Sequence, residues 1–353
     1  MSDKIPAMQD PRVGRLSVRM PDAVSPSDTA IAHYAGRDLE PNRGIPLNLD
    51  WVDRARVNRS AVERRAQTLV TRRTVKKEWQ AAWLLRAITC MDLTTLSGDD
   101  TEERVRRLCA KARQPIQQEL AQKLGVESLG IKVAAVCVYH TFVETARRAV
   151  EGSGIHVAAV STGFPAGLSP LRERVNEIRR SVEAGADEID VVITRAHVFS
   201  ARWQALYDEI ATFKDACGTA HLKVILGTGD LLTLRNVARA SFVAMMAGAD
   251  FIKTSTGKEA VNATLPVSLV MVRATREYGE ETGMAVGFKP AGGIRTAKQA
   301  LEWLTLVKEE LGTSWMKAEL FRFGASGMLA DIERQLEHHA TGRYSADYRH
   351  PLA

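Results

Sequence analysis

One lysine stands where the pattern calls for an apolar residue. In Asp250-Phe-Ile-Lys-Thr-Ser-Thr-Gly-Lys258, Lys253 ends a short apolar run and a polar, glycine-containing turn follows at once. Lysine is almost never fully buried without a partner or a chemical task. Burial disfavours the ammonium form, so such a lysine loses its proton near neutral pH and becomes an amine nucleophile. That is the requirement for Schiff-base chemistry on a carbonyl substrate. Two further charges break apolar strand patterns. Asp190 lies in Glu188-Ile-Asp-Val-Val-Ile193, and Lys289 ends Val286-Gly-Phe-Lys. Two lysines brought together resist both being charged, so one pKa falls. On this reading Lys253 attacks an aldehyde, Lys289 stays cationic beside it, and Asp190 moves protons. The alternative is a Lys–Asp–Lys network that only satisfies buried charge.

A second constellation suits an anion. Lys289-Pro-Ala-Gly-Gly-Ile-Arg295 and Arg322-Phe-Gly-Ala-Ser-Gly327 each put small residues between a strand and a helix. Backbone N–H groups and the helix dipole favour a phosphate there, and Arg295 adds a charged donor. Either loop alone also reads as a tight turn that needs glycine. Cys137 reads as a core or pocket-lining residue. Ser255 and Thr256 suit either a substrate hydroxyl or a turn cap. The eight histidines form no Ser/His/Asp arrangement, and no His/Cys cluster has metal-ligand spacing.

The elements that must position these groups follow from periodicity. Short β-branched runs stand at 87–93, 132–138, 156–161, 188–193, 222–226, 251–254, 285–289 and 320–324, separated by helical patterns such as 171–184 and 232–247. Gly185 and Gly248 close helices, and Thr264 with Pro266 opens one. Eight such units predict an α/β fold, a (β/α)8 TIM barrel, with catalytic groups at the C-terminal ends of the strands. A doubly wound sheet is the alternative. It would normally carry a glycine fingerprint after its first strand, where Asp92-Leu-Thr-Thr-Leu96 stands instead. Before the barrel, residues 1–58 read as an extended or partly disordered arm, since residues 1–50 hold six of the twelve prolines. Residues 59–85 read as a basic helical extension packed on the barrel, residues 86–340 as the barrel and 341–353 as a tail.

Composition excludes several classes. The chain has 353 residues, 45% hydrophobic and 25% charged, with no window long enough to span a membrane. Four cysteines without close pairing and no secretory leader predict a cytoplasmic protein. Residues 53–78 carry nine Lys/Arg against three acidic residues, a net +6 that equals the charge of the whole chain. Without interleaved aromatics or a reading motif, the segment reads as a solvated basic helix, and no nucleic-acid partner is expected.

Taken together, Asp92-Leu-Thr-Thr-Leu96, Ala135-Val-Cys-Val138, Gly185-Ala-Asp-Glu-Ile-Asp-Val-Val192, Phe251-Ile-Lys-Thr-Ser-Thr-Gly-Lys258, Val261-Asn-Ala-Thr264, Gly287-Phe-Lys-Pro-Ala-Gly-Gly293 and Phe323-Gly-Ala-Ser326 resemble the deoxyribose-phosphate aldolases, over roughly residues 72–345. The stretch Arg72–Trp83 and His338–Tyr344 resemble the longer, animal-type members. The resemblance implies a metal- and cofactor-free class I aldolase that cleaves 2-deoxy-D-ribose 5-phosphate to D-glyceraldehyde 3-phosphate and acetaldehyde, with a small phosphosugar as its partner and a homodimeric assembly. It implies Lys253 as the Schiff-base lysine, Lys289 as its tuning lysine and Asp190 as the proton relay. Gly292, Gly293, Arg295, Gly324 and Ser326 map to phosphate binding, and Asp92, Thr94, Cys137 and Thr256 to the pocket lining. The chain departs from the family pattern at His140, where proline is frequent, and at Gly327, where a hydroxyl residue is frequent. Short members use a C-terminal tyrosine in proton transfer, for which Tyr344 and Tyr348 are the candidates here.

Overall fold

The computed structural model describes residues 40–72 and 75–350. Eight parallel strands form its centre: β1 (Met91–Thr94), β2 (Ala135–Tyr139), β3 (His156–Ser161), β4 (Glu188–Val192), β5 (His221–Ile225), β6 (Phe251–Lys253), β7 (Gly287–Lys289) and β8 (Phe323–Gly324). From β1 to β7 each strand pairs with the next in chain order, and β8 pairs with β1. Bridges at Phe288–Phe321 and Ala291–Gly324 join β7 to β8 and complete the ring. The sheet is therefore a barrel, and the open-sheet alternative falls.

Alternation along the strands sorts side chains between two compartments. Met91, Leu93, Val136, Val138, Ile189, Val191, Leu222, Val224, Ile252, Phe288, Phe321 and Phe323 pack with the surrounding helices in one large core. The intervening positions face the barrel axis. Cys137, Ala158 and Val160 make a separate small cluster there, against Leu96, Tyr139 and Phe164. Register sets the rest of the interior: Asp190 lies opposite Lys223, Lys223 opposite Phe251, and Lys253 opposite Lys289. The helix stops behave as their residues dictate. Gly185 and Gly248 take φ of 99° and 93° just past helix ends, and the Thr264 side chain accepts from Val267 N.

Three differences from the sequence-based expectations have clear causes. First, α3 (Lys77–Thr89) runs on to Thr89, so β1 opens at Met91 rather than at residue 87. Ala81, Leu84, Leu85 and Ile88 are buried along one helical face, and that period continues through residues whose β-branching suggested a strand. Second, the basic extension is two helices, α2 (Arg59–Arg72) and α3, not one. α2 pairs Arg65 with Glu309 and Glu310 of the helix Ala297–Leu311 at 3.3 and 3.2 Å, so part of its charge is neutralised internally. Third, residues 42–58 do not form an extended arm. Asn42 is buried and donates to Met245 O and Ala249 O at 2.8 Å, while its Oδ1 accepts from Tyr278 Oη at 3.0 Å. The α1 helix (Leu49–Arg54) places Trp51 against Phe242 and Tyr278 at ring distances of 5.2 and 6.0 Å. These contacts span about 200 residues of sequence, so no local pattern announces them. Residues 1–39 of the expected arm lie outside the described residues.

Candidate active site

The inward-facing positions of five strands carry a continuous ionic network. At its upper end Lys253 Nζ donates to Asp190 Oδ2 at 2.7 Å. Lys289 Nζ donates to the same oxygen at 2.7 Å and to Asp92 Oδ2 at 2.5 Å. Below them Lys223 Nζ lies 3.0 Å from Asp92 Oδ2 and 3.6 Å from Asp190 Oδ1, and it also donates to Glu188. Arg322 reaches Asp92 Oδ1 at 2.6 Å and Glu188 Oε1 at 2.7 Å. The four bases Lys223, Lys253, Lys289 and Arg322 thus face the three carboxylates Asp92, Glu188 and Asp190, and all seven are buried. A buried cluster of this kind is far more stable near electroneutrality. Releasing one proton from a base achieves that.

Lys253 is the base placed to release it. It has one carboxylate partner and shares that partner with Lys289, whereas Lys289 holds two carboxylates. Burial, with Lys289 adding to it, pushes the Lys253 ammonium below its ordinary range against the pull of Asp190. Lys289 goes the other way. Burial opposes its charge, but Asp190 and Asp92 overcome that and hold it protonated. Asp190 is buried too, yet Lys253, Lys289 and Lys223 keep it ionised well below the usual carboxylate range. The site therefore offers an amine nucleophile, a fixed cation and a carboxylate acceptor within hydrogen-bond distance of one another.

Packing explains two glycines. A Cβ on Gly287 would lie 2.3 Å from the Phe251 ring, which crosses the barrel floor under Lys223 and Arg322, each 5.7 Å from its centroid. A Cβ on Gly324 would lie 3.2 Å from Lys289 Cε and 2.7 Å from the Ala291 side chain. The structure thus gives Gly324 a packing duty beside Lys289.

The loops above the lysines meet one another. Thr254 Oγ1 accepts from Ala291 N at 3.0 Å, tying the turn after β6 to the turn after β7. Glu259 accepts from Thr256 N at 3.0 Å, Thr256 Oγ1 at 2.7 Å and Gly257 N at 3.1 Å, which fixes Thr256 in the turn. Gly292 and Gly293 take φ of 80° and 81° at the mouth. The Arg295 side chain is exposed, but the N–H groups of Arg295 and Thr296 donate to Gln299 at 2.7 and 3.1 Å in a capping box. Ser326 precedes the helix Gly327–Thr341, and its side chain makes no capping bond. Thr94 pairs in register with Cys137, whose buried thiol is raised above its ordinary pKa.

Of the expected residues, the structure brings Lys253, Lys289, Asp190 and Asp92 into one network, in which Asp92 binds Lys289, Lys223 and Arg322 directly. Tyr344 and Tyr348 are not there. The helix Gly327–Thr341 carries the chain about 22 Å along the barrel away from the mouth. Beyond it Tyr344 stacks on His338 at 4.2 Å, and buried His350 binds Glu337 at 2.9 Å and Ser345 at 2.7 Å. Sequence reasoning assigned no role to Lys223, Glu188 or Arg322. The signal was present, because each charge interrupts an apolar strand pattern as Lys253 does.

Residues 86–329 match the model of the DeoC/LacD family aldolases. The chain belongs to the DeoC/LacD aldolase family. It is 59% identical to human deoxyribose-phosphate aldolase over 314 residues, which is 88% of this chain and 99% of that protein. It is 45% identical to a putative deoxyribose-phosphate aldolase of Caenorhabditis elegans over 253 residues, 71% of this chain and 80% of that one. A crystal structure of a putative deoxyribose-phosphate aldolase from Toxoplasma gondii shares the barrel with a TM-score of 0.63 at 22% identity, covering 76% of this chain and 98% of that one. As a DeoC/LacD aldolase, the chain has its lysine pair and Asp190 inside the matched span.

Proposed function

We propose that the protein cleaves 2-deoxy-D-ribose 5-phosphate reversibly to D-glyceraldehyde 3-phosphate and acetaldehyde through a Schiff base on Lys253, in the breakdown of deoxyribose phosphates. The observation that carries the reading is the shared carboxylate. Lys253 and Lys289 both lie 2.7 Å from Asp190 Oδ2, which leaves Lys253 as the base without a carboxylate of its own. The names of relatives at 59% identity supply the substrate class.

The steps follow from that arrangement. Neutral Lys253 adds to the substrate aldehyde carbon, and the carbinolamine loses water to give an iminium. The bond between the second and third sugar carbons then breaks. Its electron pair moves into the iminium to form an enamine, the C3 hydroxyl gives up its proton, and D-glyceraldehyde 3-phosphate leaves. A proton delivered to the enamine carbon regenerates the iminium, and water releases acetaldehyde. Asp190, in contact with the Lys253 nitrogen and the Lys289 ammonium, takes and returns these protons directly or through a water. Lys289 remains cationic and stabilises negative charge on departing oxygens. Gly292, Gly293, Arg295, Gly324 and Ser326 hold the phosphate. Asp92, Thr94, Cys137 and Thr256 complete the pocket.

The test is product formation. The purified chain should release acetaldehyde and glyceraldehyde 3-phosphate from deoxyribose 5-phosphate in equal amounts, and Lys253→Met should abolish this. Faster cleavage of another phosphosugar, or of an unphosphorylated aldehyde adduct, would replace the substrate assigned here while leaving the Schiff-base chemistry in place.

A further inference from the structure

Beneath the reactive lysine the barrel floor holds charges that make no contact with it. Lys223 on β5 sits between β4 and β6, in register with Asp190 on one side and Phe251 on the other. Its ammonium binds Asp92 and Glu188 and lies 3.6 Å from Asp190 Oδ1, an oxygen that has no hydrogen-bond partner. Arg322 on the opposite wall grips Asp92 and Glu188. Glu188 also accepts from His156 at 2.9 Å, a half-exposed side chain at the start of β3. Among the described residues, the hydrogen bond of Lys253 goes to Asp190 and none goes to a floor group, while Lys289 and Cys137 also act on its charge.

The charge arithmetic gives this layer a task. Lys289 and Asp190 cancel. Lys223 and Arg322 cancel Glu188 and Asp92. With Lys253 neutral the interior then sums to zero, and with Lys253 charged it sums to +1. Deleting one floor cation would make the protonated Lys253 the electroneutral state instead. Deleting the Glu188 charge would add a positive charge and oppose protonation further. Inside a protein, one unit charge within about 10 Å shifts a neighbouring pKa by about one unit or more.

We propose that Lys223, Arg322 and Glu188 form a floor of positioning residues that fixes Asp92 and Asp190 and decides, through the charge balance of the barrel, that Lys253 is the base that gives up its proton. The inference rests on Lys253 being the Schiff-base lysine. It assigns to the floor a role that needs no contact with substrate.

The experiment is the pH dependence of kcat/KM for deoxyribose 5-phosphate, with the pH dependence of borohydride trapping at Lys253, in the full chain and in Lys223→Met, Lys223→Arg and Glu188→Gln. The acid limb of the profile should move up by about one pH unit or more in Lys223→Met and move down in Glu188→Gln. Lys223→Arg should return the limb toward that of the unmodified chain. A purely structural floor would lower activity in both variants with the limb unmoved or moved the same way, and that result overturns the proposal. If thermal unfolding shows that Lys223→Met does not fold, the shift in Glu188→Gln decides alone. An unmodified chain without an adduct on Lys253 would overturn the underlying mechanism. Trapping at Lys253 with unmoved limbs would overturn only the role of the floor.

Discussion

At the scale of single residues the site depends on one carboxylate serving two lysines. Replacing Lys289 by Met would leave Asp190 to Lys253 alone, and the Lys253 ammonium would be stabilised. We expect kcat/KM at neutral pH to fall by about a hundredfold or more, with partial recovery as pH rises. A pH profile of the variant checks this, and equal losses at every pH would show that Lys289 acts in some other way. Lys253, Lys289 and Asp190 were legible in the sequence because each places a charge at the mouth end of an apolar strand. Lys223 and Arg322 break the same pattern, but they sit below the mouth, where the strand-end rule does not look. Their meaning lies in register, which pairs Lys223 with Asp190 across neighbouring strands. Register depends on barrel stagger, and short strands do not encode that locally.

At the scale of elements, the barrel strands could be read and their attachments could not. Eight β-branched runs spaced by helical patterns sufficed for the ring. The packing of residues 42–58 on the helices Leu234–Met246 and Leu265–Thr282 could not be read, because Asn42 and Trp51 find their partners at Met245, Ala249 and Tyr278. Asn42→Ala would leave buried backbone carbonyls unpaired and should destabilise the fold by about 1–3 kcal/mol. It lies away from the mouth, so the melting temperature should drop while kcat stays unchanged. A changed kcat would mean that this segment communicates with the site. Inside the barrel, Gly287→Ala would drive a methyl group into the Phe251 ring and should cost about 1–3 kcal/mol. Because that ring supports Lys223 and Arg322, activity should fall along with the melting temperature.

At the scale of the whole molecule, a hydrophobic shell surrounds an ionic interior, and the two respond differently to pH. Asp92, Glu188 and Asp190 are all buried, and the neighbouring Lys223, Arg322, Lys253 and Lys289 hold each of them well below its ordinary pKa. The unfolded chain therefore binds protons in the range near pH 4 that the folded chain does not. The stability these groups contribute is fully present above their unfolded pKa and is lost as pH falls below it. The melting temperature should hold from neutral pH to about pH 5 and then decline steeply. Buried charges are poorly screened, so added salt should change this little. A melting temperature that stayed level through pH 3 would show that the network contributes no acid-sensitive stability.

Every step proposed for the site depends on Lys253 forming the covalent intermediate. Incubating the full chain with deoxyribose 5-phosphate, reducing with borohydride and mapping peptides by mass tests that claim most directly. The expected result is one reduced adduct, on the peptide carrying Lys253, absent in Lys253→Met. An adduct on Lys289 or Lys223, or continued turnover with no adduct at all, would contradict it.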